Sequence, residues 1–183
     1  LVEQREMILT NRLFGLFDRT FSEKGRKKRK TRPTMLEWFF ALAEALDGSV
    51  RCQHCGMDFD VSLGKCPWCD TIPRIVSLKS RKGQSSLWKF SKEAVDGAEL
   101  RVPVRLMKGP KPSERGDTAF SICCGKDVIR IFNMDPGYAW AVSLDRGQSF
   151  QNLFGHADIP NGSLVRCTSA DSNDVVMIEV KIE

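Results

Sequence analysis

The chain has 183 residues, of which 42% are hydrophobic and 28% charged, with a net charge of +5. That is the composition of a soluble globular protein with room for one domain or two small ones. It excludes a membrane span, since no apolar run has the length, and the charged Val2-Glu3-Gln4-Arg5-Glu6 start has no signal-peptide pattern. Residues 3–22 are expected to form a helix. Met7, Ile8, Leu9, Leu13, Phe14, Leu16, Phe17 and Phe21 give an apolar arc at helical spacing, too wide for one short neighbour to cover. A basic loop over 23–31 comes after it, with the run Arg26-Lys27-Lys28-Arg29-Lys30. The run could grip phosphates, but no aromatic residue interleaves with it, so base stacking is not suggested. The first residue is Leu1 rather than Met, which points to a fragment or a processed chain.

A second helix is expected over 33–46. Thr34-Met35-Leu36-Glu37 has the spacing of a capping box, in which the threonine hydroxyl and the glutamate each satisfy the other's backbone N–H. Leu36, Phe39, Phe40, Ala43 and Leu46 form a stripe with Trp38 beside it, and Asp47-Gly48 ends the helix. The two helices are expected to pair antiparallel and rest on the cysteine-rich segment on their C-terminal side.

That segment holds two Cys-x-x-Cys turns, Cys52-Gln53-His54-Cys55 and Cys66-Pro67-Trp68-Cys69, ten residues apart. Each can place two thiolates on one side of a metal ion, and together they close a tetrahedral site with no position left for substrate. The expectation is a structural zinc ribbon over 48–78 with Cys52, Cys55, Cys66 and Cys69 as ligands. Gly56 suits the tight first knuckle, and Met57-Asp58-Phe59-Asp60-Val61 alternates as a short strand. A redox dithiol would be a single such turn beside a βαβ pattern, which is absent. His54 could replace a cysteine as ligand, but four thiolates already satisfy the ion. Seven cysteines minus four leaves Cys123, Cys124 and Cys167, an odd set that fits reduced, cytoplasmic thiols acting as small buried apolar groups.

Residues 79–98 read as a polar linker, tacked down by Trp88 and Phe90. From residue 99 the period changes to two: Leu100, Val102, Val104 and Leu106 alternate. Strands are expected at 118–124, 127–134, 138–144, 148–153, 163–168 and 174–182, separated by Gly, Pro, Asn and Asp turns. The expected class is therefore α+β: a helical hairpin over 1–47, the zinc ribbon, the linker, and an all-β sandwich or barrel over 99–183.

Catalytic motifs are missing. There is no nucleophile elbow and no P-loop. His156 could act as a base with Asp158 as orienter, but that pair lacks a nucleophile. Glu114, Asp117, Asp135, Asp145, Asp158 and Asp171 do not cluster in sequence and read as solvated turn residues.

Arg32-Pro33-Thr34-x-x-Glu37-Trp38, an apolar helix and then Cys66-Pro67-Trp68-Cys69 form an order that resembles the end of the C-lobe of bacterial Ser/Thr protein kinases whose catalytic domain runs into a zinc ribbon. The resemblance covers about residues 1–70. The Gly-rich loop, the ATP-contacting Lys, the catalytic-loop Asp and the Asp-Phe-Gly motif of such kinases are all absent here, so the chain itself is not expected to be an enzyme. The resemblance extends to the tellurite-resistance-associated phosphorylation triad of kinase, PP2C-like phosphatase and von Willebrand A domain protein. It implies that the kinase's C-terminal region docks the von Willebrand A partner, whose surface metal could take a carboxylate from one of the six loop residues just named. The competing reading is a nucleic-acid-binding zinc-ribbon module, suggested by the positive charge.

Overall fold

The computed structural model describes residues 9–113 and 116–183. Expectations for residues 1–8 and for Glu114 lie outside the described residues. Two compact units divide the chain, residues 1–73 and 74–183, in place of the expected divisions at 47, 78 and 98. Four α-helices and twelve strands in three antiparallel sheets occur among the described residues. No described helix is long and apolar enough to cross a membrane.

In the first unit, α1 (Asn11–Phe21) opens on Thr10, whose hydroxyl accepts from the Leu13 N–H at 3.2 Å. Ser22 ends that helix and caps a short second one, α2 (Glu23–Lys27). The expected basic loop is therefore helical in part, with a 3-10 turn at Arg29–Thr31. Gly25 is required where it stands: a Cβ there would lie 2.0 Å from the Arg19 carbonyl oxygen. Arg32 turns back on α2 and donates to the carbonyls of Gly25 and Arg26 at 2.9 and 3.1 Å.

The capping box forms as its sequence spacing dictates. Glu37 N–H donates to Thr34 Oγ1 at 3.2 Å, and Thr34 N–H donates to the Glu37 carboxylate at 2.7 Å. It starts α3 (Met35–Gly48). Ion pairs at opposite ends, Arg12–Glu44 at 3.1 Å and Arg19–Glu37 at 2.6 Å, fix α1 and α3 as antiparallel. Leu13, Leu16 and Ala41 are buried between them with Leu9, Trp38 and Ala45 alongside, and the Phe17 and Trp38 rings meet edge to face at 5.0 Å. The chain then passes directly into β1 (Ser49–Arg51), which pairs with β2 (Asp58–Asp60) through the buried couple Val50 and Phe59.

Among the described residues, the regular structure of the second unit is strand apart from one helical turn. Residues 79–98 are no linker. β3 (Ile75–Lys82) and β4 (Ser85–Glu93) form a hairpin that is part of the β-unit. β5 (Glu99–Pro103) comes next; then Val104 and Leu106, expected to continue the alternation, lie at and within a helical turn, α4 (Arg105–Lys108). Leu106 and Met107 are both buried, which consecutive residues of a one-sided strand do not achieve. The expected strands appear as β6 (Thr118–Cys124), β7 (Val128–Phe132), β8 (Tyr138–Ser143), the short β9 (Gln151–Asn152), β11 (Leu164–Ser169) and β12 (Val175–Ile182). One more, β10 (Ala157–Pro160), holds Asp158, which the sequence reads as a solvated turn residue.

These strands make a four-stranded sheet in the order β10-β7-β6-β5 and a six-stranded sheet in the order β4-β3-β12-β11-β8-β9. Both contribute to one hydrophobic core, with Phe120 of β6 meeting Trp140 of β8 edge to face at 5.3 Å. β12 returns to β3, so that Ile75 and Glu183 exchange both backbone hydrogen bonds at 2.8 Å.

Candidate metal centre

The two Cys-x-x-Cys turns fold into the same backbone device. In the first, the Gly56 N–H donates to the Cys52 carbonyl at 2.8 Å and the Cys52 N–H to the Met57 carbonyl at 2.9 Å. In the second, the Asp70 N–H donates to the Cys66 carbonyl at 2.9 Å and the Cys66 N–H to the Thr71 carbonyl at 2.8 Å. Each knuckle closes on a residue with positive φ, Gly56 at 74° and Asp70 at 56°. Glycine takes that conformation freely, and Asp is among the few other residues that tolerate it. The first knuckle is itself the turn that joins β1 to β2; a 3-10 turn at Val61–Leu63 then leads the chain to the second.

The four sulfurs lie within 4.8 Å of one another. Cys52 and Cys69 approach to 3.6 Å and Cys55 and Cys66 to 3.5 Å, so each close pair joins one knuckle to the other. A disulfide needs about 2.05 Å, so these are unbonded thiols. A tetrahedron of metal–sulfur bonds near 2.3 Å has edges of about 3.8 Å, and the observed contacts fit it. The cluster is thus able to hold a metal ion with four sulfur ligands. Cys52 and Cys66 are buried.

Electrostatics favours a cation here. The Cys69 thiol is pulled down to about 5, chiefly by the Thr71 hydroxyl 3.3 Å away, then by the Thr71 backbone. Cys55 is pushed up to about 12: the Met57 backbone pulls it down, but desolvation and the three neighbouring sulfurs outweigh that pull. Four sulfurs at this spacing resist becoming four thiolates by mutual repulsion, which an ion at their centre relieves. Thr71 is a neighbour of the cluster that the cysteine spacing does not reveal; its one signal is a hydroxyl two positions past Cys69. His54 is outside the ligating group, and its nearness is a lesser influence that lowers the Cys69 thiol.

The remaining candidates are scattered. Arg130 takes both oxygens of Asp158, at 2.7 and 2.8 Å, so Asp158 is occupied by a guanidinium rather than orienting His156. Asp145 is engaged by the Ser143 and Ser149 hydroxyls and the Ser149 N–H, which hold its carboxyl well below the usual range. Asp135 accepts from the Gly137 N–H at 2.8 Å. Asp117 and Asp171 are exposed. Cys124 and Cys167 are buried, and burial pushes both thiols up. Arg26 to Lys30 are all exposed. Comparisons with protein-family models, curated proteins and solved structures found no match.

Proposed function

We propose that this chain is the non-catalytic C-terminal region of a bacterial Ser/Thr protein kinase, in which a structural zinc ion, held in a zinc ribbon by Cys52, Cys55, Cys66 and Cys69, steadies a surface that docks a partner protein. Zinc is the ion of choice for four thiolates in a closed tetrahedral site. With every coordination position taken by sulfur, the ion has no place for a substrate, and its contribution is to folding. The region performs no reaction itself. The resemblance of residues 1–70 to kinases of the tellurite-resistance triad makes a von Willebrand A domain protein the partner.

The observation that carries the docking reading is the exposed apolar surface of the helical pair. Phe21 is 63% exposed, Met35 84% and Leu46 61%. Apolar exposure on this scale beside a metal-pinned framework marks an interaction surface. A binding titration against a von Willebrand A domain protein tests it. The expected result is saturable binding that changes little with salt and falls at least tenfold in Met35→Asp/Leu46→Asp. No binding, or binding indifferent to those changes, overturns it. A metal-bridged contact adds a second signature: sensitivity to Asp117→Ala or Asp171→Ala, two of the exposed candidates.

The exposed run Arg26–Lys30 favours a second reading, a nucleic-acid-binding module. Its signature is affinity for an oligonucleotide that falls by orders of magnitude between low and moderate salt.

A further inference from the structure

The six-stranded sheet has one face on the core and one face away from it. Along β3, Val76 and Leu78 are fully buried in the core, so Ser77, Lys79 and Arg81 stand on the opposite face. The register extends that face sideways. Lys89 of β4 lies directly across from Lys79, and Glu179 of β12 lies across from it on the other side. Ser80 pairs with Trp88 and Arg81 with Ser86, leaving Leu87 as the extra residue of a bulge. Bulges re-aim side chains, and this one sits where β4 brings Ser86 beside Arg81.

Two features of this face are unexplained by folding. Lysines directly opposite each other on paired strands are destabilising, and Lys79 and Lys89 are both exposed. Glu179, the nearest acidic partner by register, is engaged by Lys181 at 2.8 Å. Among the described residues no carboxylate forms an ion pair with Lys79, Arg81 or Lys89. Beside these cations opens a pocket of about 400 Å³ whose lining includes Lys79, Arg81, Gln84, Ser86 and Glu179. That volume lies in the range of small-ligand sites.

We propose that this pocket binds the phosphate group of a small phosphorylated molecule. Lys79 and Arg81 offset its charge of nearly two, the Arg81 guanidinium presents a fork suited to two phosphate oxygens, and Gln84 and Ser86 donate further hydrogen bonds. Glu179, which also lines the pocket across from Lys79, accepts from a ligand hydroxyl and disfavours a long run of phosphates. No aromatic ring lines the pocket, so a base-stacked strand is not its occupant. The site is independent of the docking surface on the helices.

Calorimetric titration of the whole chain at fixed ionic strength, with inorganic phosphate and with glycerol 3-phosphate, tests the proposal. Saturable binding of glycerol 3-phosphate is expected, tighter than that of phosphate alone. Lys79→Gln/Arg81→Gln weakens it at least tenfold, Arg81→Lys weakens it with the fold intact, and Arg166→Gln, on the same sheet outside the pocket, leaves it unchanged. Lys89→Gln raises the melting temperature in phosphate-free buffer by removing the facing charge. The proposal is overturned if no saturable heat appears up to about 10 mM, weaker than any affinity that would matter for such a site, or if binding survives in the double variant. It is equally overturned if an oligonucleotide binds there in preference, with a steep salt dependence.

Discussion

At the scale of single residues, the four-cysteine cluster and the helical pair each hang on a few atoms. Cys66 is fully buried and shares the closest sulfur contact in the cluster. Cys66→Ser is expected to abolish bound metal, read by elemental analysis, and to forfeit most of a metal-linked folding energy on the order of 10 kcal/mol. Retention of one metal per chain in that variant would contradict the four-sulfur site. Gly25→Ala forces a methyl group against the Arg19 carbonyl, so it should lower the melting temperature of the helical pair, as strain against backbone does. Glu37 has its pKa lowered to about 2 from 4.5, first by the Thr34 N–H, then by the Arg19 side chain and the Thr34 hydroxyl. A lowered folded pKa means the stabilisation is present above about pH 4.5 and is lost as pH falls toward 2. The destabilisation caused by Glu37→Gln should therefore be full at neutral pH and vanish near pH 2; a pH-independent difference in helix melting, followed by circular dichroism, would refute the charge as its source. Thr34→Ala removes the reciprocal hydroxyl and is expected to cost about 1 kcal/mol.

At the scale of elements, Phe120 shows how the β-unit is held. It is fully buried and set edge to face on Trp140 of the other sheet. Phe120→Ala should cost about 3–5 kcal/mol by denaturant melting while leaving metal content untouched. This core was only partly legible in the sequence. The strands from β6 onward alternate cleanly between Gly, Pro and Asn turns, so their positions were readable. The hairpin β3–β4 was not, because serine stands on both of its faces and lysine and arginine stand beside it on the outer one. Ser77 and Ser91 bury their hydroxyls against each other at 3.1 Å, and Ser80 takes up the Trp88 backbone; small polar residues satisfied in this way look like linker. In α4 the misreading has the opposite cause, since Val104 and Leu106 alternate by chance across a turn whose neighbour Met107 is also buried. The meeting of the four cysteines was legible because metal ligation demands a spacing that packing patterns do not impose. Thr71 and the positive φ of Asp70 were not, since both depend on backbone closure that appears only once the chain is folded.

At the scale of the whole molecule, the chain is two compact units with different sources of stability. The first has a three-residue buried core between its helices and a four-sulfur cluster; the second has a continuous core shared by two sheets. Calorimetric melting with and without a strong chelator is expected to show two transitions, of which only one depends on metal. A single transition shifted as a whole would refute that division. The return of β12 to β3 carries a consequence for the order of events during synthesis. β3 ends at Lys82 and its second neighbour begins at Val175, so a ribosome working at roughly ten residues per second leaves one edge of β3 open for about ten seconds. During that interval the nascent hairpin presents an unsatisfied rim to any other extended chain. The crowd of lysines and arginines along it, costly in the finished sheet, is then a safeguard: like-charged strands from neighbouring polysomes repel one another before they can zip together.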